Sequence, residues 1–174
     1  MTADSNDRRI TKVWHALQTR VDKGRVVLLA IGDNETLLAI DSARMSDAGT
    51  LHRLPVGSQT TARALGMNQV PTPQQLERVI EQIEDAVMPL FKLLRPYSVL
   101  FVEAAALAPF WRAHAPAASV SVGDVEIAFQ DLAAVAEGRP ASRDGGTSQP
   151  PYAVSLLILR EAMHHLGFQD VRNL

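Results

Sequence analysis

The stretch Gly24-Arg25-Val26-Val27-Leu28-Leu29-Ala30-Ile31-Gly32-Asp33-Asn34-Glu35-Thr36-Leu37-Leu38-Ala39-Ile40 decides how the chain is read. Two apolar runs flank the polar break from Gly32 to Glu35, which predicts a β-hairpin. Gly32, Asp33 and Asn34 are residue types that tolerate the positive φ of a tight turn. Both arms are apolar at nearly every position instead of alternating. That pattern predicts strands inside a sheet covered on both faces.

Before the hairpin, Ile10, Val13, Trp14, Leu17 and Val21 recur at helical spacing between Asp7 and Lys23. Asp4, Ser5 and Asp7 are candidate caps and Gly24 is the stop, so residues 1–24 are expected to form an N-terminal amphipathic helix. Residues 25–174 are then expected to form a single α/β domain.

After the hairpin, Thr50 to Gly57 reads as a third strand of alternating character, with Pro55 at its edge or end. Ser58 to Leu65 predicts a short helix opened by Ser58 and closed by Gly66. Thr72-Pro73-Gln74-Gln75 combines an N-cap threonine, proline at the first helical position and the glutamine of a capping box. Leu76, Val79, Ile80, Ile83 and Val87 form one apolar stripe after it. Glu77, Glu81, Glu84 and Asp85 fall on the other faces and read as a solvated surface rather than a metal site. Pro89 should divide this helix, and Pro96 should end any continuation through Leu94.

Tyr97 to Val102 predicts a buried strand with Glu103 at its end, followed by a small-residue helix from Ala104 to Ala113. Ser119 to Val122 is a short extended entry into an amphipathic helix, Asp124 to Ala136. Val125, Ala128, Phe129, Leu132 and Val135 would face inward. Residues 139–151 read as a flexible loop. Tyr152 to Leu166 is apolar nearly all round, which predicts a central helix, capped by Gly167 and followed by a last short strand. The order of elements predicts an α/β fold: a mixed sheet with an N-terminal hairpin and helices on both faces.

Composition narrows the function classes. Of 174 residues, 47% are apolar and 21% charged, as in a folded domain with a real core. Net charge is −2 and there is no basic block, so no electrostatic case for nucleic acid arises. The absence of cysteine excludes disulfides, thiolate catalysis and cysteine-ligated zinc. No apolar run approaches the roughly 20 residues of a membrane helix, and the polar start carries no secretory signal. A cytoplasmic protein without a membrane partner is the expectation.

In this order of pieces the chain resembles the C-terminal half of the actin-like, ribonuclease H-like core of exopolyphosphatases and guanosine pentaphosphate phosphohydrolases. Leu54-Pro55-Val56-Gly57 with Thr60-Thr61-Ala62-Arg63 looks like that family's Leu-Pro-x-Gly strand and following helix. Ser155 to Gly167 is similar to its closing helix. The resemblance covers roughly residues 25–174, and no motif of the family is intact.

The departures fall on the phosphate loops. In the family a strand ending Asp-x-Gly-Gly-Gly-Ser-x-Glu turns back and holds phosphate. Here Ala30 stands for the aspartate, Gly32-Asp33-Asn34 for the glycines and Leu37 for the closing glutamate. A second Gly-Gly-Thr loop aligns with Glu103-Ala104-Ala105. Glycines let backbone N–H groups approach an anion, whereas Asp33 and Glu35 bring like charge to it. The family's other half-domain, which supplies a general base, has no counterpart in these 174 residues.

Ala30, Gly32, Asp33, Asn34, Glu35, Thr36, Glu103, Ala104 and Ala105 are therefore expected to be degenerate phosphate-loop positions. No catalytic residue, metal or cofactor is assigned. Asp33, Glu35, Asp41 and Glu103 could gather as a metal site at strand ends, but turn-forming, solvated carboxylates are the simpler reading. His164 and His165 are adjacent on a helix, point about 100° apart and cannot share one ion. His15, His52 and His114 lie in separate elements, and no serine has a nucleophile elbow. A non-catalytic interaction or regulatory domain, as a homodimer or with a protein partner, is the first expectation. A residual phosphate- or nucleotide-binding module, metal-assisted or not, is the second, and a phosphohydrolase the third.

Overall fold

The computed structural model describes residues 3–21, 25–40, 50–94, 97–140 and 147–174. Its centre is the hairpin: β1 (Arg25–Ile31) pairs antiparallel with β2 (Thr36–Ile40), Ile31 opposite Thr36. β2 continues antiparallel into β3 (Thr50–Leu54), which Pro55 ends at the sheet edge. On its other side β1 lies parallel to β4 (Ser98–Glu103), and β4 lies parallel to β6 (Asp170–Asn173). A two-residue β5 (Val120–Ser121) closes the order β3-β2-β1-β4-β6-β5.

Why both hairpin arms are apolar throughout is visible in which residues share a core. Val27, Leu29, Ile31, Leu38 and Ile40 point to one face, where they join the helices. Val26, Leu28, Ala30, Leu37 and Ala39 point to the other and pack with Ile10, Trp14 and Leu17. Strand side chains alternate between faces, so a strand covered on both sides needs apolar residues at every position. The second face is covered by α1 (Ala3–Gln18), whose Trp14 is 1% exposed and donates from Nε1 to the Val26 carbonyl at 2.9 Å.

The first face carries α2 (Ser58–Ala64), α3 (Pro73–Val87), α5 (Val122–Ala136) and α6 (Pro150–Leu166). α6 is buried on nearly all sides and packs against α2, α3 and α5. The Thr72–Gln75 capping box forms as expected. The chain turns into a 3₁₀ segment, Met88–Leu93, where Pro89 interrupts the helix. The short α4 (Ala108–His114) comes after a 3₁₀ turn at the end of β4. Together these elements make a single mixed α/β domain, a six-stranded sheet with helices on both faces.

Several local expectations are corrected. Among the described residues, positive φ occurs at Tyr97, Gly66, Gly138 and Gly167, and not at Gly32, Asp33 or Asn34. The four-residue loop is long enough to reverse the chain without the left-handed conformations that a two-residue hairpin turn demands. Gly57, not Ser58, is the N-cap of α2. α5 starts earlier than expected, because Ser121 and Asp124 form a capping box ahead of it. Tyr97 precedes β4 and is 90% exposed instead of buried. Asp41, Pro96 and the centre of the 139–151 loop lie outside the described residues.

Candidate functional site

The C-terminal ends of the parallel strands β1 and β4 lie side by side, Ala30 in register with Glu103. The turn from Gly32 to Glu35 continues directly from β1, and Ala104 and Ala105 continue from β4. The two candidate loops are thus brought to one end of the sheet, where ligands of open α/β sheets commonly sit.

At that end the turn and the start of α2 are joined. A helix begins with N–H groups that have no acceptor in the helix, and these are the donors that an anion takes up. Here Ser58 N–H donates to the Gly32 carbonyl at 2.9 Å, and Gln59 and Thr60 both donate to the Asp33 carbonyl at 2.9 and 3.0 Å. Thr60 Oγ1 adds a hydrogen bond to the Asn34 carbonyl at 3.0 Å. The turn is also closed on itself, with Gly32 N–H donating to the Glu35 carbonyl at 3.0 Å. Thr36 is buried and its hydroxyl donates to the Val56 carbonyl at 2.7 Å, so it serves the connection to α2.

The carboxylates around this end are paired. Glu103 meets Arg9 of α1 at 2.7 Å. Arg53 of β3 bridges Glu35 and Asp7, the latter at 2.7 Å. Its hydrogen bonds to Glu35 and then Asp7 hold the Arg53 guanidinium above its ordinary value. Asp33 Oδ1 accepts from the Ser58 hydroxyl at 3.3 Å. The repulsion expected from Asp33 and Glu35 is therefore offset at Glu35 by a guanidinium. The donors at the start of α2 are taken up by the turn itself, through the Gly32 and Asp33 carbonyls.

Sequence reasoning missed Arg9, Arg53 and Gly57 as parts of this arrangement. Arg9 lies 94 residues from Glu103 and Arg53 lies 18 from Glu35, on elements whose pairing only the sheet order sets. Gly57 had a signal, its place in the Leu-Pro-x-Gly stretch. A Cβ there would lie 2.2 Å from the Asn34 carbonyl carbon, so only glycine lets the strand end pass the turn.

Among the described residues, Asp33, Glu35 and Glu103 do not form a group with metal-ligand spacing. His164 and His165 diverge as expected, toward Glu126 at 3.4 Å and toward Glu84 at 3.3 Å. The expectation of a wholly solvated Glu84 is corrected: its carboxylate reaches across from α3 to α6.

No protein-family model matches the sequence, and no curated protein matches it. Solved structures do match. The fold is that of exopolyphosphatase structures. An Aquifex aeolicus PPX-GPPA enzyme is similar over 92% of this chain and 56% of its own, with TM-score 0.66 at 12% identity. An exopolyphosphatase from Cytophaga hutchinsonii is similar over 95% of this chain and 59% of its own, with TM-score 0.67 at 11% identity. The chain thus spans a little over half the length of these proteins, and the likeness is one of fold.

Proposed function

We propose that this chain is a non-catalytic interaction or regulatory domain built on the exopolyphosphatase fold. The observation that carries this reading is the closed loop: the first three N–H groups of α2 are bound by the Gly32 and Asp33 carbonyls. A phosphate entering there would have to displace main-chain acceptors already in place. Ala30, Gly32 to Thr36 and Glu103 to Ala105 are, on this reading, degenerate phosphate-loop positions that now hold the sheet end together.

The apolar stripes of α1 and α3 are already covered, Trp14 and Ile83 lying in the core at 1% and 0% exposure. The contact surface on this reading is the groove of about 510 Å³ flanked by Phe91 and Tyr97, 58% and 90% exposed, with Leu94, Leu166 and Phe168 beside Lys92 and Ser98 in its lining. Exposed aromatic side chains around an apolar floor are the usual composition of a protein contact.

Phosphate release from polyphosphate, guanosine pentaphosphate and ATP tests the reading. No release above a heat-inactivated control is expected. Release that Glu35→Ala abolishes would overturn it. Pyrophosphate and ATP should leave the melting temperature unchanged, where a ligand at a hundredfold its dissociation constant would add about 2.7 kcal/mol. For the contact surface, light scattering across a dilution series should show a dimer that Phe91→Glu returns to a folded monomer.

A further inference from the structure

Away from the sheet end, α3 and α6 bring together three groups that the closed loop does not use. His165 Nε2 lies 3.3 Å from Glu84 Oε1 and 3.4 Å from Glu161 Oε2. The three donor atoms all fall within 4.8 Å of one another. We propose that Glu84, Glu161 and His165 form a binding site for a divalent transition-metal ion of the zinc type.

The spacing is the first argument. One ring nitrogen, His165 Nε2, faces both carboxylates, in a long hydrogen bond to Glu84 at 3.3 Å and at 3.4 Å from Glu161. Metal bonds of about 2.0–2.1 Å in a tetrahedron put ligand atoms about 3.3–3.4 Å apart, the separations seen from His165.

The carboxylate environment is the second argument. The Glu161 side chain is 4% exposed, and its other oxygen, Oε1, accepts from Arg160. Arg160 thereby turns Oε2 toward His165, the outer hydrogen bond that orients a ligating carboxylate. Arg160 is itself matched by Glu126 at 2.7 Å. The single guanidinium is thus shared between Glu126 and Glu161, and a divalent ion beside Glu84 and Glu161 would balance the excess of carboxylate. The Glu84 and His165 side chains are 40% and 26% exposed, so the cluster can be reached from solvent. Three protein ligands and an open position give a site able to hold a water molecule or a small anion. One ion would also tie α3 to α6.

Tag-free protein titrated with cobalt(II), with zinc(II) then added in competition, tests the site. Binding of one equivalent with a visible spectrum of tetrahedral type, displaced by zinc, is expected. Glu84→Gln and His165→Ala should each weaken binding at least tenfold, and Glu77→Gln on the exposed side of α3 should not. Circular dichroism confirms that each variant is folded, and the partly exposed Glu84 provides the test should His165→Ala unfold. Absence of binding in the unaltered protein, or undiminished binding in Glu84→Gln, would overturn the proposal.

Discussion

Gly57 passes the hairpin turn so closely that a methyl group on it would lie 2.2 Å from the carbonyl carbon of Asn34 and 2.4 Å from the Glu35 nitrogen. These are backbone atoms and cannot swing aside. Gly57→Ala must therefore separate α2 from the turn and break the hydrogen bonds between them. A loss of about 3 kcal/mol or more is expected in urea unfolding, at the upper end of overpacking effects. Gly123→Ala is the contrast: its methyl would meet only Ser121 Oγ at 3.5 Å. That variant should be unchanged or more stable by about 0.5 kcal/mol.

Trp14 fixes α1 to the sheet by packing and by one hydrogen bond to Val26. Trp14→Phe keeps most of the packing but leaves a buried carbonyl without its donor, a loss of about 1–3 kcal/mol. Trp14→Ala should lose about 3–5 kcal/mol. Neither should change the molecular mass of the folded protein, because the side chain does not reach the surface.

Arg53 ties α1, through Asp7, to the turn, through Glu35. Arg53→Met should raise hydrogen exchange in the first turns of α1 and leave the centre of β1 protected. The effect should shrink in high salt, since the side chains are partly exposed and screened. Equal exchange in the two proteins would show that the bridge does not hold the helix.

Tyr152 offers a pH test. Burial, and then the charge of Asp131, push its phenol up to about 12. A group whose folded value is raised contributes stability that is complete below its unfolded value and is lost as pH rises through the folded one. The loss should therefore fall between about pH 10 and 12. In Tyr97→Phe protein the sole tyrosine is Tyr152, and its ultraviolet titration should be displaced upward by the same interval. Titration at the free tyrosine value would contradict the burial.

The sequence by itself determined the hairpin, the Thr72 capping box, the central α6 and the sheet covered on both faces. Each depends on neighbours within a turn or two of chain, or on a periodicity that names its own environment: Val26 to Ile31 can be apolar throughout only where both faces are covered. Tertiary structure decided what the polar residues do. Whether Glu35 and Glu103 repel an anion or are held by Arg53 and Arg9 depends on which strands neighbour β1 and on where α1 lands. Local chain does not carry that information. Gly32, Asp33 and Asn34 have the composition of a turn that needs special backbone angles, yet the loop finds its partners in α2, beyond the strand β3. Glu84 lies on the polar side of an amphipathic pattern, but the packing of α3 on α6 turns it toward His165. Hydrophobic periodicity reports how deep a face lies, whereas the meeting of charges from distant segments is set only when the helices are in place.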